Sequence, residues 1–231
     1  MSVQEQFAEV REALPVPFGL THPFQAPARP AKAVSRARAT KRLLDLTIAL
    51  PVLVLIAPLL IAIAILIRLD SPGPALFRQK RLGLNGRPFG IFKFRTMNVV
   101  EDDQAVVQAI PGDTRVTRIG AFLRASSIDE LPQLLNVILG HMSLVGPRPH
   151  AIAHDLYYAA RIPEYTQRQS VKPGITGWAQ VNGYRGGTPT LDLMQKRVDL
   201  DIRYAQHASV ALDLLIVLCT PLELLRNRDV F

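Results

Sequence analysis

From Leu46 to Ile67 the chain runs for 22 residues without a charge, about the length of helix that crosses a bilayer core. A straight span is the simplest reading, and two features oppose it. Pro58 lies mid-run, where its missing N–H and its ring open the helix and kink it. Basic residues also flank both ends, Lys41 and Arg42 before and Arg68, Arg78, Lys80 and Arg81 after, and Lys and Arg favour the cytoplasmic side. A re-entrant helix hairpin over residues 41–69, broken at Pro58 and returning through the leaflet it entered, satisfies both clusters, with the freed backbone groups partnered inside the protein.

Elsewhere the pattern is that of a mixed chain. Residues 1–40 hold five prolines between Pro15 and Pro30 and then Lys32, Arg36 and Arg38; without a sustained apolar period they read as a flexible basic arm. The arm lacks the apolar core of a secretory signal, so the N-terminus is expected to stay in the cytoplasm. Turn signals at Ser71-Pro72-Gly73-Pro74 and Leu84-Asn85-Gly86 bound short extended segments, Ala75–Phe77 and Phe89–Phe94. Alternation in the second turns Lys93 away from Phe92 and Phe94. A helix is expected over Asp102–Ile110. Another, from about Ile128 to Leu139, follows from the spacing of Leu131, Leu134, Leu135 and Ile138 and ends at Gly140. The tail from Val210 to Leu225 is apolar apart from Asp213 and Glu223 and reads as either an interfacial amphipathic helix or a core helix.

Composition sharpens this picture. The 231 residues are 48% hydrophobic with a mean hydropathy of +0.16, more apolar than a soluble domain of this length needs for its core. A net charge of +8 requires an anionic neighbour: nucleic acid, anionic lipid or a phosphorylated substrate. Aromatic content is only 6%, and neither zinc spacing nor an RNP-like motif is present, so nucleic acid is set aside. The lone Cys219 forms no intramolecular disulfide and is compatible with a reducing compartment.

The chemistry points to Asp129-Glu130. Ser127 three residues before Glu130 fits a capping box, and Asp129 in the first turn would sit where a helix N-terminus favours a carboxylate and attracts phosphate. On local spacing alone an ordinary acidic first turn outweighs a site. The cations alter the balance: Arg124, Arg148 between Pro147 and Pro149, and Lys93 with Arg95 can each offer charge or a guanidinium fork to phosphate oxygens. Each is also readable as a surface cation or a lipid contact. His150 reads equally as a donor ligand or a turn cap.

The segments Lys41–Asp45, Lys93–Met97, Asp129–Leu134, Gly146–Pro149 and Lys172–Gly183 resemble, in order, the bacterial sugar transferases, the monotopic phosphoglycosyl transferases. The resemblance runs from about residue 41 to the C-terminus. It implies a helix-rich α/β catalytic part over 70–231 on the cytoplasmic face of the bacterial inner membrane, anchored by the re-entrant helix. It also implies transfer of hexose 1-phosphate from a UDP-sugar to undecaprenyl phosphate with release of UMP, the opening step of exopolysaccharide or capsule synthesis. Carried over residue by residue, Asp129 is the nucleophile that takes up the phosphosugar and Glu130 helps hold Mg2+. Lys93, Arg95, Arg124 and Arg148 fall around the phosphates. The motifs around Arg148-Pro149-His150-Ala151 and Gly183-Tyr184-Arg185-Gly186 look like the glucose-1-phosphate transferases, favouring UDP-glucose. Ala57-Pro58 departs from the family's usual Ser-Pro break, removing one side-chain oxygen there. A homodimer is compatible with the reading. The rival is a catalytically silent membrane scaffold, against which the intact acidic pair argues.

Overall fold

The computed structural model describes residues 31–98 and 113–226, with side chains described over 38–98 and 113–223. The expected Asp102–Ile110 helix and the proline-rich part of the arm lie outside them.

Helix α1 (Ala31–Asp70) is 40 residues long and contains Pro51 and Pro58. It starts at Ala31, so the end of the expected arm is helical. It also continues through Pro58, so the two limbs of the expected hairpin are one hydrogen-bonded element. Ala49, Leu53, Ile56, Leu60, Ile63 and Ile67 form one stripe that packs on the body of the protein. Their spacings of three and four residues keep one face inward across the proline. The other faces are apolar and bare: Val54, Leu55, Ile61 and Leu69 are 62–80% exposed, and only 11% of the most apolar 18-residue window is buried. By length and composition α1 is a candidate membrane helix.

Both ends of the apolar run are fastened to the same body. At the start Lys41 pairs with Asp213 at 2.6 Å, Arg42 donates to the carbonyls of Val137 and Ile138 at 2.5 and 2.7 Å, and the buried Asp45 accepts from Ser143 Oγ and the Leu144 N–H. At the other end the buried Arg95 donates to Ser71 O, Ser71 Oγ and Pro72 O at 2.6–3.0 Å. A C-terminal helix turn leaves carbonyls without partners, and Arg95 occupies those around the exit from α1.

Strands β1 (Leu76–Leu82) and β2 (Pro88–Phe94) form an antiparallel hairpin, with Leu76 opposite Phe94 and Leu82 opposite Pro88. Its connection passes through Asn85 and Gly86, both with positive φ, conformations that Asn and Gly tolerate. Phe89 and Ile91 enter the core beside α1, and Phe94 enters the cluster around Ile63, Ile67 and Leu123.

Helix α2 (Arg118–Ser126) is capped by Thr117, whose hydroxyl accepts from the Gly120 N–H. The expected helix over 128–139 is two elements, a 3-10 turn at Ile128–Glu130 and α3 (Gln133–Ile138). Pro132 lies between them, in the position preceding α3, where its missing N–H costs least. Within α3 the fully buried Asn136 faces β2: its Oδ1 accepts from the Phe92 N–H at 2.8 Å and its Nδ2 donates to Gly90 O at 2.7 Å. One side-chain amide thus supplies the pairing that a third strand would give.

Two short parallel strands, β3 (Ser143–Val145) and β4 (Gly174–Thr176), bring the Gly146–Pro149 and Lys172–Gly177 segments together. A Cβ on Gly146 would overlap the Lys172 carbonyl, and one on Gly174 the Gly146 nitrogen. Helices α4 (Ile152–Ala159), α5 (Trp178–Val181), α6 (Leu191–His207) and α7 (Val210–Arg226) complete the described body. On α7 Ile216, Asp213 and Glu223 are buried, while Leu214, Leu215, Leu218 and Leu222 are 42–72% exposed. Each reading of this tail therefore holds for one face, and the outward face is the apolar one.

Replacing Asn136 by Ala strands a buried N–H and a buried carbonyl, each costing about 1–3 kcal/mol. The variant should unfold at clearly lower denaturant than wild type in detergent, followed by circular dichroism.

Candidate active site

Asp129 and Glu130 occupy the 3-10 turn that follows α2. Ser127, which ends α2 with its N–H on Arg124 O, has φ 57° and ψ 19°, and its side chain makes no capping hydrogen bond to the following turn. The expected capping box is therefore absent: the Glu130 carboxylate has stronger partners than a backbone N–H. Lys93 Nζ, at the end of β2, is 2.7 Å from Glu130 Oε1. Arg148 approaches as a fork, with Nη1 2.8 Å from Oε2 and Nη2 2.5 Å from Oε1. Burial opposes the charge on Glu130, but Arg148 and Lys93 overcome it and hold the carboxyl well below the ordinary glutamate range.

Asp129 is treated in the opposite way. Burial raises its pKa above the ordinary 3.8; Lys93 pulls it back, the neighbouring Glu130 adds to the rise, and Arg148 and Arg124 oppose it. Among the described residues its carboxylate accepts no hydrogen bond. Two adjacent acids thus have divided properties, one locked as an anion between two cations and one left open beside the same cations. That is the environment of an oxygen nucleophile next to an anion-binding pair.

The predicted cations divide as well. Lys93 and Arg148 meet on Glu130, and Arg124, whose Nε donates to Thr96 Oγ1 at 2.9 Å, adds its field at Asp129. Arg95 is brought elsewhere: its guanidinium bonds go to Ser71 and Pro72 at the exit of α1. It lies one residue past the end of β2 at Phe94, beside the exit of α1, so two cations of one motif do different jobs.

Several contacts of the site are not visible in the sequence pattern. Arg168 Nη2 donates to the carbonyl of Arg148 at 2.7 Å and is itself held by Asp201 at 2.7 Å. Behind it His150 Nδ1 lies 2.7 Å from the Tyr165 hydroxyl, which donates to Asp155. His150 is buried, and burial with the nearby Arg168 keeps its pKa well below the ordinary value. It is a neutral member of this network, not a turn cap. Arg185 donates to Ser127 Oγ at 2.5 Å, two residues before Asp129. Only the 194/197/198/201 spacing on α6, mixing Met194 and Val198 with Arg197 and Asp201, hints in the sequence that charges are buried there.

Because the Asp129 pKa is raised, its carboxylate is protonated at a higher pH than an ordinary aspartate, and reactivity that needs the anion is lost as pH falls through that value. The acid limb of kcat/KM should have its midpoint above 3.8, and Arg148→Gln, which removes a charge favouring the anion, should shift the limb to still higher pH. A pH–rate series on both proteins measures this.

A family model described as bacterial sugar transferase matches residues 36–227. A UDP-glucose:undecaprenyl-phosphate glucose-1-phosphate transferase of Caulobacter vibrioides is 58% identical over 191 residues, covering 83% of this chain and 72% of that protein. An Escherichia coli K12 protein of the same name is 50% identical over 194 residues, covering 84% of this chain and 42% of its own length. A UDP-N-acetylgalactosamine-undecaprenyl-phosphate N-acetylgalactosaminephosphotransferase of Aeromonas hydrophila is 42% identical over 181 residues, 78% of this chain and 42% of that one. The chain thus spans under half the length of the last two. With the matched region taking in α1 from residue 36, the acidic pair and the cations around it, this chain belongs to the bacterial sugar transferase family.

Proposed function

We propose that this chain transfers glucose 1-phosphate from UDP-glucose to undecaprenyl phosphate, releasing UMP, as the first membrane step of an exopolysaccharide or capsule. The observation that carries the reading is the division of roles in the acidic pair, with Glu130 held by Lys93 and Arg148 and Asp129 open beside them. The choice of glucose rests on the relatives named for UDP-glucose at 50–58% identity, against 42% for the one named for UDP-N-acetylgalactosamine.

In the proposed reaction an Asp129 oxygen attacks the sugar-bearing phosphorus of the donor. The bond from that phosphorus to the bridging oxygen breaks, UMP leaves with the electron pair, and the hexose phosphate is held as an acyl phosphate on Asp129. A phosphate oxygen of undecaprenyl phosphate then attacks the same phosphorus, giving the polyprenyl diphosphate sugar and restoring the carboxylate. Lys93, Arg124 and Arg148 offset the negative charge that builds on the phosphoryl oxygens. Their field also favours the ionised Asp129 against burial.

The residues present fit a magnesium ion. Mg2+ takes one or two carboxylates and completes its shell with phosphate oxygens and water, and the three hydrogen bonds to Glu130 leave about one of its four lone-pair directions open, on Oε2. Glu130 would hold the ion, which supplies charge neutralisation for the diphosphate when bound.

The same reading places the body on the cytoplasmic face of the inner membrane, with α1 entering and leaving one leaflet. Support comes from the docking of Lys41, Arg42 and Asp45 at one end of the apolar run and of Ser71 at the other onto a single body. A span with its ends on opposite faces would pull one of these polar anchors into lipid.

Purified protein in detergent with Mg2+ and undecaprenyl phosphate should release UMP from UDP-glucose faster than from other UDP-sugars, and Asp129→Asn should abolish both turnover and the acid-stable label from radioactive donor. Retained turnover in Asp129→Asn would remove the nucleophile assignment. For topology, single cysteines at Arg38 and Asp70 in a Cys219→Ser background should both react with an impermeant thiol reagent from the cytoplasmic side only; labelling from opposite sides would establish a plain span.

A further inference from the structure

The loop between α5 and α6 carries an arginine that the chemistry above does not use. Its backbone is pinned on both sides of Arg185: the Tyr184 N–H donates to Ala179 O at 3.0 Å, and the buried Arg197 donates through Nη2 to Gly186 O. Between these fixtures the Arg185 side chain reaches Ser127, donating from Nη2 to its Oγ at 2.5 Å. Ser127 is the left-handed corner that leads into Asp129.

The choice of partner is unusual. A half-buried guanidinium has five donors and a full charge, and it is stable where a carboxylate or phosphate answers it. Among the described residues its hydrogen-bond partner is one neutral hydroxyl, although Glu130, Asp129 and Glu223 are close enough to act on its charge and Arg148 is close enough to repel it. Lys93 and Arg148 are occupied by Glu130, and Arg124 by Thr96. Four cations, Lys93, Arg124, Arg148 and Arg185, therefore surround the acidic pair, with Glu223 a third carboxylate near Arg185. The excess of positive charge suits an anionic ligand, and the open carboxylate among them is Asp129.

We infer that Arg185 is a donor-binding residue: it leaves Ser127 to grip the diphosphate of the incoming nucleotide sugar, and Ser127 Oγ parks it between turnovers. This rests on the proposed transfer from a UDP-sugar and adds to Arg148 a second guanidinium for the nucleotide's phosphates. The pinned neighbours give Arg185 a fixed base, so the exchange of partners requires side-chain rotation only. Gly183, with φ +88° and nothing within 4 Å of its added Cβ, leaves room over the loop for a ligand.

The competing explanation is that Arg185 merely braces the Ser127 corner, and the two are separable. UDP, UMP and uridine are titrated by isothermal calorimetry against the full-length wild type, Arg185→Gln, Arg185→Lys and Ser127→Ala in Mg2+ buffer, with UMP release from UDP-glucose measured in parallel. The expected result is UDP affinity lower by about tenfold or more in Arg185→Gln, partly recovered in Arg185→Lys, with uridine affinity unchanged. Ser127→Ala, which removes the parking site and leaves the cation, should bind UDP within about threefold of wild type. If Ser127→Ala loses UDP affinity as Arg185→Gln does, Arg185 is a brace and the inference falls. If Arg185→Gln binds UDP as wild type does while wild type releases UMP, the inference falls and the transferase reading stands. If wild type releases no UMP from any UDP-sugar, the transferase reading fails and this inference with it.

Discussion

A buried carboxylate is costly unless cations and hydrogen bonds answer it, and the answering of Glu130 by Lys93 and Arg148 is the constraint on which this site depends. The three residues come from three separate pieces of chain: the end of β2, the turn after α2 and the loop after β3. Their pairing is possible only because Asn136 sets α3 against the free edge of β2 and because Gly146 and Gly174 let the β3 and β4 backbones meet without side chains between them. The chemistry proposed for Asp129 follows from this pairing. Once Glu130 has absorbed the hydrogen bonds, its neighbour keeps the field of the same cations without being bound by them.

A second layer stabilises the first. Arg148 is held at its backbone by Arg168, Arg168 by Asp201, and the surrounding space is filled by His150, Tyr165 and Asp155. Such a network of buried charges gives little net stability against apolar packing, but it fixes a guanidinium fork to within hydrogen-bond tolerance, which an apolar contact would not do. Precise placement of charge is what phosphoryl chemistry requires of its protein.

The apolar surface obeys the same logic in reverse. On α1 and α7 the outward faces are leucine, isoleucine and valine, and the inward face of α7 carries Asp213 and Glu223. In water this arrangement would be unstable; against lipid it is the favoured one, because polar groups then find partners only inside the protein. Lys41 joins the two helices by meeting Asp213 and the Tyr204 hydroxyl, so the apolar surfaces belong to elements tied at their polar ends. The candidate active site and the candidate membrane surface are thereby held on one body, as the proposed reaction between a soluble nucleotide and a lipid phosphate needs.

Much of this was legible in the chain itself: the long uncharged run, the short extended segments on either side of Leu84-Asn85-Gly86, the acidic pair and the cations Lys93, Arg124 and Arg148. Those features are local, written in periodicity, turn residues and ordered motifs. The capping box, the single helix over 128–139 and the grouping of Arg95 with Lys93 were not realised. A carboxylate chooses between a backbone N–H and a distant guanidinium by energy, and the guanidinium is visible only after folding. Arg168, Asp201 and Asn136 were silent for the same reason, and the motif holding Arg185 gave no sign of its partner Ser127, since these contacts cross 33 to 58 residues of sequence. Sequence by itself determined which residue types could do the chemistry and which segment seeks lipid, through composition and spacing. Tertiary structure alone decided which of two adjacent acids is neutralised and which is left free, because electrostatic energy depends on distance in space and not on distance along the chain.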